Sequence, residues 1–214
     1  MELTYGARHL DRVIDDPVRL LSAFTDEGRR YLDYQPLTPR ERLVPEDLAV
    51  TILINSRVSW RAFMSVQDHG DTVDLAQLTP KPLEQTDERD RALVAEVIAQ
   101  VATWPGFGAS VTTKILHKKR PDLIPILDNQ AIFGAYMNPK WPGSPALMDT
   151  VKSRPRIAEA LEWIAADVTR PENSVGWRAV QAQEPERTRI DLFDMVWWSY
   201  FRAVEPAGAV KTPI

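Results

Sequence analysis

WPGFGASVTTKILHKKRPDLIPILDNQAI, residues 104–132, is the stretch whose reading decides the fold. Pro105-Gly106-Phe107-Gly108 ends one helix and turns sharply into the next. Gly106 and Gly108 can take backbone angles that other residues avoid, and they let a partner approach the main chain closely. The first amides of the following helix have no partner within it and sit at its positive dipole end. Such a turn can hold a phosphate through main-chain contacts that read no sequence. Residues 109–116 continue as that helix, which closes in His117-Lys118-Lys119-Arg120 before Pro121. Ile124-Pro125-Ile126-Leu127 is an extended apolar connection, and Asp128 is the expected N-cap of a helix running to about Met137.

Outward from this core the apolar residues recur mostly at helical spacing. Val18, Leu21, Phe24 and Tyr31 mark a helix closed by Pro36 and Pro39. Pro45-Glu46-Asp47 is a helix start, and the helix is expected to run through Ile52 and Trp60 to about Val66. Residues 71–86 read as a loop. Asp87-Glu88 opens a helix with the stripe Leu93, Val97 and Val101. Prolines 139, 142 and 145 with Gly143 make residues 138–155 an irregular excursion, and residues 157–164 are again amphipathic. Residues 190–201 are apolar on nearly every side, the pattern of a centrally buried helix. No internal repeat and no run of alternating strand residues is visible. The expected fold class is all-α, as one domain over residues 1–205 with a frayed tail at 206–214.

Composition narrows the possible functions. Hydrophobic residues make up 44% and charged residues 26%, ordinary for a globular protein. No apolar run approaches the roughly 20 residues needed to cross a bilayer, and residues 1–16 lack the apolar core of a secretion signal. No membrane partner is therefore expected, and the cytoplasm is the expected location. The absence of cysteine rules out disulfides, iron–sulfur clusters and thiolate zinc sites. The three histidines, His9, His69 and His117, are too dispersed for a metal site, so no metal or cofactor is expected. A net charge of −4 argues against binding nucleic acid by bulk electrostatics. Yet Lys114, Lys118, Lys119 and Arg120 fall within residues 104–120 without a carboxylate among them. That pattern suits either one focused anion contact or a helix C-terminus complementing its own dipole.

Residues 104–132 resemble the core of the helix-hairpin-helix DNA glycosylases, the base-excision enzymes related to endonuclease III. In that superfamily an apolar residue, Pro-Gly-apolar-Gly, a helix and a proline-containing apolar stretch lead to a catalytic aspartate. Trp104, Pro105, Gly106, Phe107 and Gly108 occupy the hairpin positions, and Asp128 falls at the aspartate with no gap. Ser110 stands where bifunctional members carry a Schiff-base lysine, which implies base removal without strand cleavage. Lys114 lies one helical turn further on. The resemblance implies a two-lobed helical bundle with double-stranded DNA as its partner. Gly106, Gly108 and Ser110 would hold the phosphate beside the lesion, supported by Lys114, Lys118 and Lys119. Asn55, Ser56 and Arg57 interrupt an apolar helix about where the family carries the wedge that replaces a flipped base. The chain departs from the pattern at Val111-Thr112, where Thr-Ala is usual, and at Asn129-Gln130-Ala131, where histidine and arginine often follow the aspartate. Residues 120–128, with Arg189-Ile190-Asp191, also resemble an uncharacterised bacterial family.

The chemistry so implied needs few groups. N-glycosidic cleavage passes through an oxocarbenium-like state that a carboxylate stabilises, and the departing base needs an apolar or aromatic pocket. Trp60 and Trp141 are the candidates for that pocket or its rim, whereas Trp197 and Trp198 belong to the buried helix. Asp191 and Asp194 are expected to pair with Arg187 or Arg189 in a stabilising role. The leading expectation is a monofunctional DNA glycosylase with Asp128 as its carboxylate. Two rivals stand beside it, and the acidic remainder of the chain favours them. One is a non-catalytic helix-hairpin-helix module, the other a fold relative that has lost nucleic acid.

Overall fold

The computed structural model describes residues 2–6, 11–54, 56 and 58–205, and it is mainly helical. His9, the wedge candidates Asn55 and Arg57, and the tail at 206–214 lie outside the described residues. The chain opens with two short strands, β1 (Leu3–Tyr5) and β2 (Arg12–Ile14), paired antiparallel with Leu3 opposite Ile14 and Tyr5 opposite Arg12. Leu3, Tyr5 and Ile14 are buried while Val13 is exposed. Three residues are too few for that alternation to stand out in a sequence, which is why no strand was expected here.

The helical segment expected over residues 17–34 is two helices, α1 (Pro17–Ser22) and α2 (Asp26–Asp33). Thr25 divides them by capping the second, its hydroxyl accepting from the Gly28 amide. The single helix expected from Pro45 to about Val66 is likewise two pieces. Residues Pro45–Ile54 form a 3-10 helix, and α3 (Trp60–His69) starts afresh. Between them lie the serine-rich residues 55–59, which favour caps and turns over a helix interior.

From there the expected elements appear in order. Asp87 caps α4 (Glu88–Ala102) through the Asp90 amide, and α5 (Ala109–Lys119) follows the Pro-Gly-Phe-Gly turn. Residues Asn129–Tyr136 form a π-helix capped by Asp128. Beyond the irregular excursion come α6 (Arg154–Thr169), α7 (Ser174–Gln183), which the sequence reading does not name, and α8 (Arg189–Val204). Thr188 and Asp191 start α8 as a reciprocal capping box.

Helix α4 packs against α6 and α5, and α8 packs against α1. Most of α8 is buried, and Trp197 sits at its centre with Tyr136, Trp141 and Tyr5 around it, ring centroids 5.2–5.9 Å away. Trp141, expected at a pocket or its rim, is therefore core, its indole N–H donating to Glu205 Oε2 at 2.7 Å. Arg12 enters the same region from β2. Its guanidinium donates to the carbonyls of Tyr136, Asn138 and Trp141 and lies 5.3 Å from the Trp141 ring centroid. Among the described residues no helix is long and apolar enough to cross a membrane.

Candidate functional site

Asp128 is fixed before any ligand is considered. The Leu127 amide donates to Thr113 Oγ1 on α5, and the Ile126 amide donates to Asp194 on α8. The connection is thus pinned between two helices just ahead of Asp128. As N-cap of the π-helix, Asp128 accepts from the Gln130 and Ala131 amides through Oδ1. Its Oδ2 is left to meet Ser110 Oγ at 3.2 Å and Lys114 Nζ at 3.8 Å. The two groups one turn apart on α5 therefore converge on one carboxylate oxygen. Lys114 also donates to Ser56 Oγ at 2.7 Å; burial lowers its pKa and Asp128 partly offsets that. A π-helix beginning at the carboxylate fits the tendency of such irregularities to sit at functional sites.

Asp128 and Lys114 line a cavity of about 330 Å³. Its walls include Phe24, Tyr31 on α2, and Trp197 and Trp198 on α8. Asp194 lines it too. Burial pushes the Asp194 carboxyl well above the ordinary carboxylate range; the Ile126 amide opposes this, while Asp191 and Asp128 add to it. An aromatic lining with a few convergent polar groups is the usual make-up of a small-molecule site.

Several expected site residues are elsewhere. Lys118 and Lys119 do not present a basic surface. Lys119 is 2% exposed, paired with Asp47 at 2.7 Å and bonded to the Pro39 carbonyl and Thr38 hydroxyl. Lys118 donates to the Leu32 carbonyl with its ammonium 4.3 Å from the Tyr31 ring centroid. Burial lowers the Lys118 pKa to about 8, opposed by Asp191. Residues 31–47 satisfy both cations, so the basic helix end stitches α5 to the N-terminal segment and is closed to a phosphate.

The hairpin glycines also face their own chain. Gly106 has φ of +86°, and a Cβ there would lie 2.7 Å from the Ala62 amide nitrogen and from Ser59 Oγ. Gly108 is buried beneath Thr150, and the Ala109 amide donates to the Val151 carbonyl at 3.0 Å. The approach expected for a phosphate is thus occupied by residues 150–151. Ser110 is buried with its hydroxyl on Asp128. Trp60 is 73% exposed and borders a separate hollow with Ile52 and Phe63, outside the Asp128 cavity.

Four residues that the sequence assigns to the core or to a stabilising role also line the cavity: Asp194, Trp198, Phe24 and Tyr31. Asp194, Trp198 and Arg202 stand at i, i+4 and i+8 on α8, with Trp197 beside them, and all line the cavity. One acid repeating in phase with large aromatics on an otherwise apolar helix is the signal that could have found them. Asp191, by contrast, is structural. Its Oδ1 lies 3.0 Å from His117 Nε2, while His117 Nδ1 meets the Ile124 carbonyl at 2.8 Å. Arg187 pairs with Asp33, and neither it nor Arg189 pairs with Asp194.

Fold and site together define an all-α protein with an acid- and aromatic-lined cavity between its helices. The chain belongs to the family of unknown function DUF6308, whose model matches residues 16–201. No curated protein and no solved structure matches the chain.

Proposed function

We propose that the cavity receives a base-bearing N-glycoside and hydrolyses its N-glycosidic bond, with Asp128 as the carboxylate that stabilises the oxocarbenium-like centre. The observation that carries this reading is the setting of Asp128. One oxygen is held by two amides and the other by Ser110 and Lys114 in an aromatic-lined cavity of about 330 Å³. A carboxylate whose orientation is fixed in advance costs no reorganisation when charge develops beside it. Ser110 at the position of the imine-forming lysine favours hydrolysis by water without a covalent intermediate.

The glycosylase resemblance supplies damaged or modified bases in duplex DNA as the first substrates to test. A second reading is favoured by the Val151 carbonyl on the Ala109 amide and by the burial of Lys118 and Lys119. In it, the same bond is cleaved in a free nucleoside and the duplex-gripping surface has been lost.

The experiment is to incubate the protein with a panel of modified-base duplexes and with the matching nucleosides, following free base by chromatography. Release that disappears in Asp128→Asn supports the proposal, and which panel reacts chooses between the readings. Release at an unchanged rate in Asp128→Asn would leave the aspartate as a helix cap only. Borohydride should trap no protein–DNA adduct; an adduct lost in Lys114→Ala would move the chemistry to the displaced amine.

A further inference from the structure

Asp194 has a position that the reading above does not use. It is 9% exposed on α8 and lines the cavity that Asp128 lines. Its Oδ2 accepts from the Ile126 amide at 3.2 Å, and Oδ1 has no hydrogen-bond partner among the described residues. The Trp197 indole N–H donates to the Ala131 carbonyl at 2.8 Å. Residues 126–131 are therefore clamped to α8 on both sides of Asp128, which holds the two acids in fixed register around one cavity.

Their surroundings differ in one respect. Lys114 stands 3.8 Å from Asp128, whereas among the described residues no cation pairs with Asp194. The groups around Asp194 are Asp191 on its own helix, Asp128, and the phenols of Tyr5 from β1 and Tyr31 from α2. Lys114, Arg202 and Glu27 are the other charged residues that line the cavity. Two acids in one cavity, only one of them facing a lysine, can divide the roles of charge stabiliser and proton donor.

We propose that Asp194 is the proton donor to the departing base, working opposite Asp128. This rests on the N-glycoside reading above and extends its substrates to neutral bases that leave only when protonated. In the step, the Asp194 proton passes to a ring nitrogen of the base as the bond from C1′ to the base breaks, its electron pair going to the base. Water adds to C1′ and gives its proton to Asp128. The products are the neutral base and the sugar hemiacetal, and proton exchange with solvent returns both acids to their starting states. Burial of Asp194 supports this role, since it keeps the carboxyl protonated above the ordinary range.

A matched pair of leaving groups tests it. Hypoxanthine needs a proton to leave, whereas N7-methylguanine is already cationic and needs none. Each is offered as the free nucleoside and within duplex DNA, so the arms also separate the two sources of the bond. Asp194→Asn keeps an oxygen for the Ile126 amide. It should slow hypoxanthine release by about 10²–10⁴-fold and N7-methylguanine release by less than about tenfold. Asp128→Asn should slow both. Equal slowing of both bases by Asp194→Asn would overturn the acid role and leave Asp128 standing. Wild-type protein that releases neither base from any of the four substrates would overturn the N-glycoside reading, and the acid role with it.

Discussion

At the end of α5 four consecutive side chains find four different sets of partners. His117 meets the Ile124 carbonyl and Asp191, Lys118 the Leu32 carbonyl, Lys119 Asp47, and Arg120 the Leu75 carbonyl. Removing one partner of a buried ion pair leaves the other charge uncompensated. Lys119→Ala should therefore cost about 3–5 kcal/mol in chemical denaturation, where a surface cation would cost almost nothing. Lys118 has a pH signature. Its folded pKa of about 8 lies below the value of 10.5 in the unfolded chain. Between the two the unfolded chain binds more protons, so this group makes stability rise with pH through that window; below it the cost of burying the cation is present in full. The stability of Lys118→Met relative to wild type should accordingly fall by at most about 3 kcal/mol from neutral pH to pH 10.5, read from urea curves across a pH series. Asp128→Asn should change stability by no more than about 1 kcal/mol, because asparagine caps as well as aspartate. A larger loss would mean that the carboxylate is needed to hold the Lys114 ammonium.

Among the elements, the turn between α4 and α5 separates two glycines that look alike in the sequence. Gly106 has a positive φ and lies against the backbone of α3, so Gly106→Ala should cost about 1–3 kcal/mol. Gly108 has extended angles open to any residue, and a Cβ would meet only a methyl group of Thr150 at 3.2 Å. Gly108→Ala should stay within about 1 kcal/mol. Thermal melts of the two variants side by side test this, and a reversed order would mean that the turn is built differently. The helices read correctly from sequence, α4, α5 and α8, combine a clear apolar pattern with a cap or turn signal, at Asp87, Gly106-Phe107-Gly108 and Thr188. Helix α6 was legible over residues 157–164 from its apolar pattern without such a cap. Residues 45–66 carry a good start but no glycine or proline to mark a stop, and a 3-10 helix of ten residues looks like an α-helix in an apolar pattern. The ladder of i+5 bonds over residues 128–137 has no sequence signature at all.

For the molecule as a whole, charge placement matters more than charge count. With Lys118 and Lys119 satisfied internally on a chain of net charge −4, the basic run of α5 is withdrawn from any counterion displacement on DNA. Any binding to duplexes of unrelated sequence should be weak, with a log–log salt slope no steeper than about −2, measured by fluorescence anisotropy. A slope of −4 or steeper would place a basic surface beyond the residues described. By itself the sequence determined the helical class, the principal helices and the cap at Asp128, because periodicity and caps are local properties, whereas the contact of Ser110 with Asp128 joins two elements. Only the tertiary structure decided that the basic run is buried, that residues 150–151 close the hairpin, and that Asp194 on α8 shares a cavity with Asp128. Each of these depends on which distant segment comes to lie against a side chain. A lysine facing water and a lysine facing a buried aspartate are the same letter, and burial and partner, set by packing across more than sixty residues of chain, give each its role.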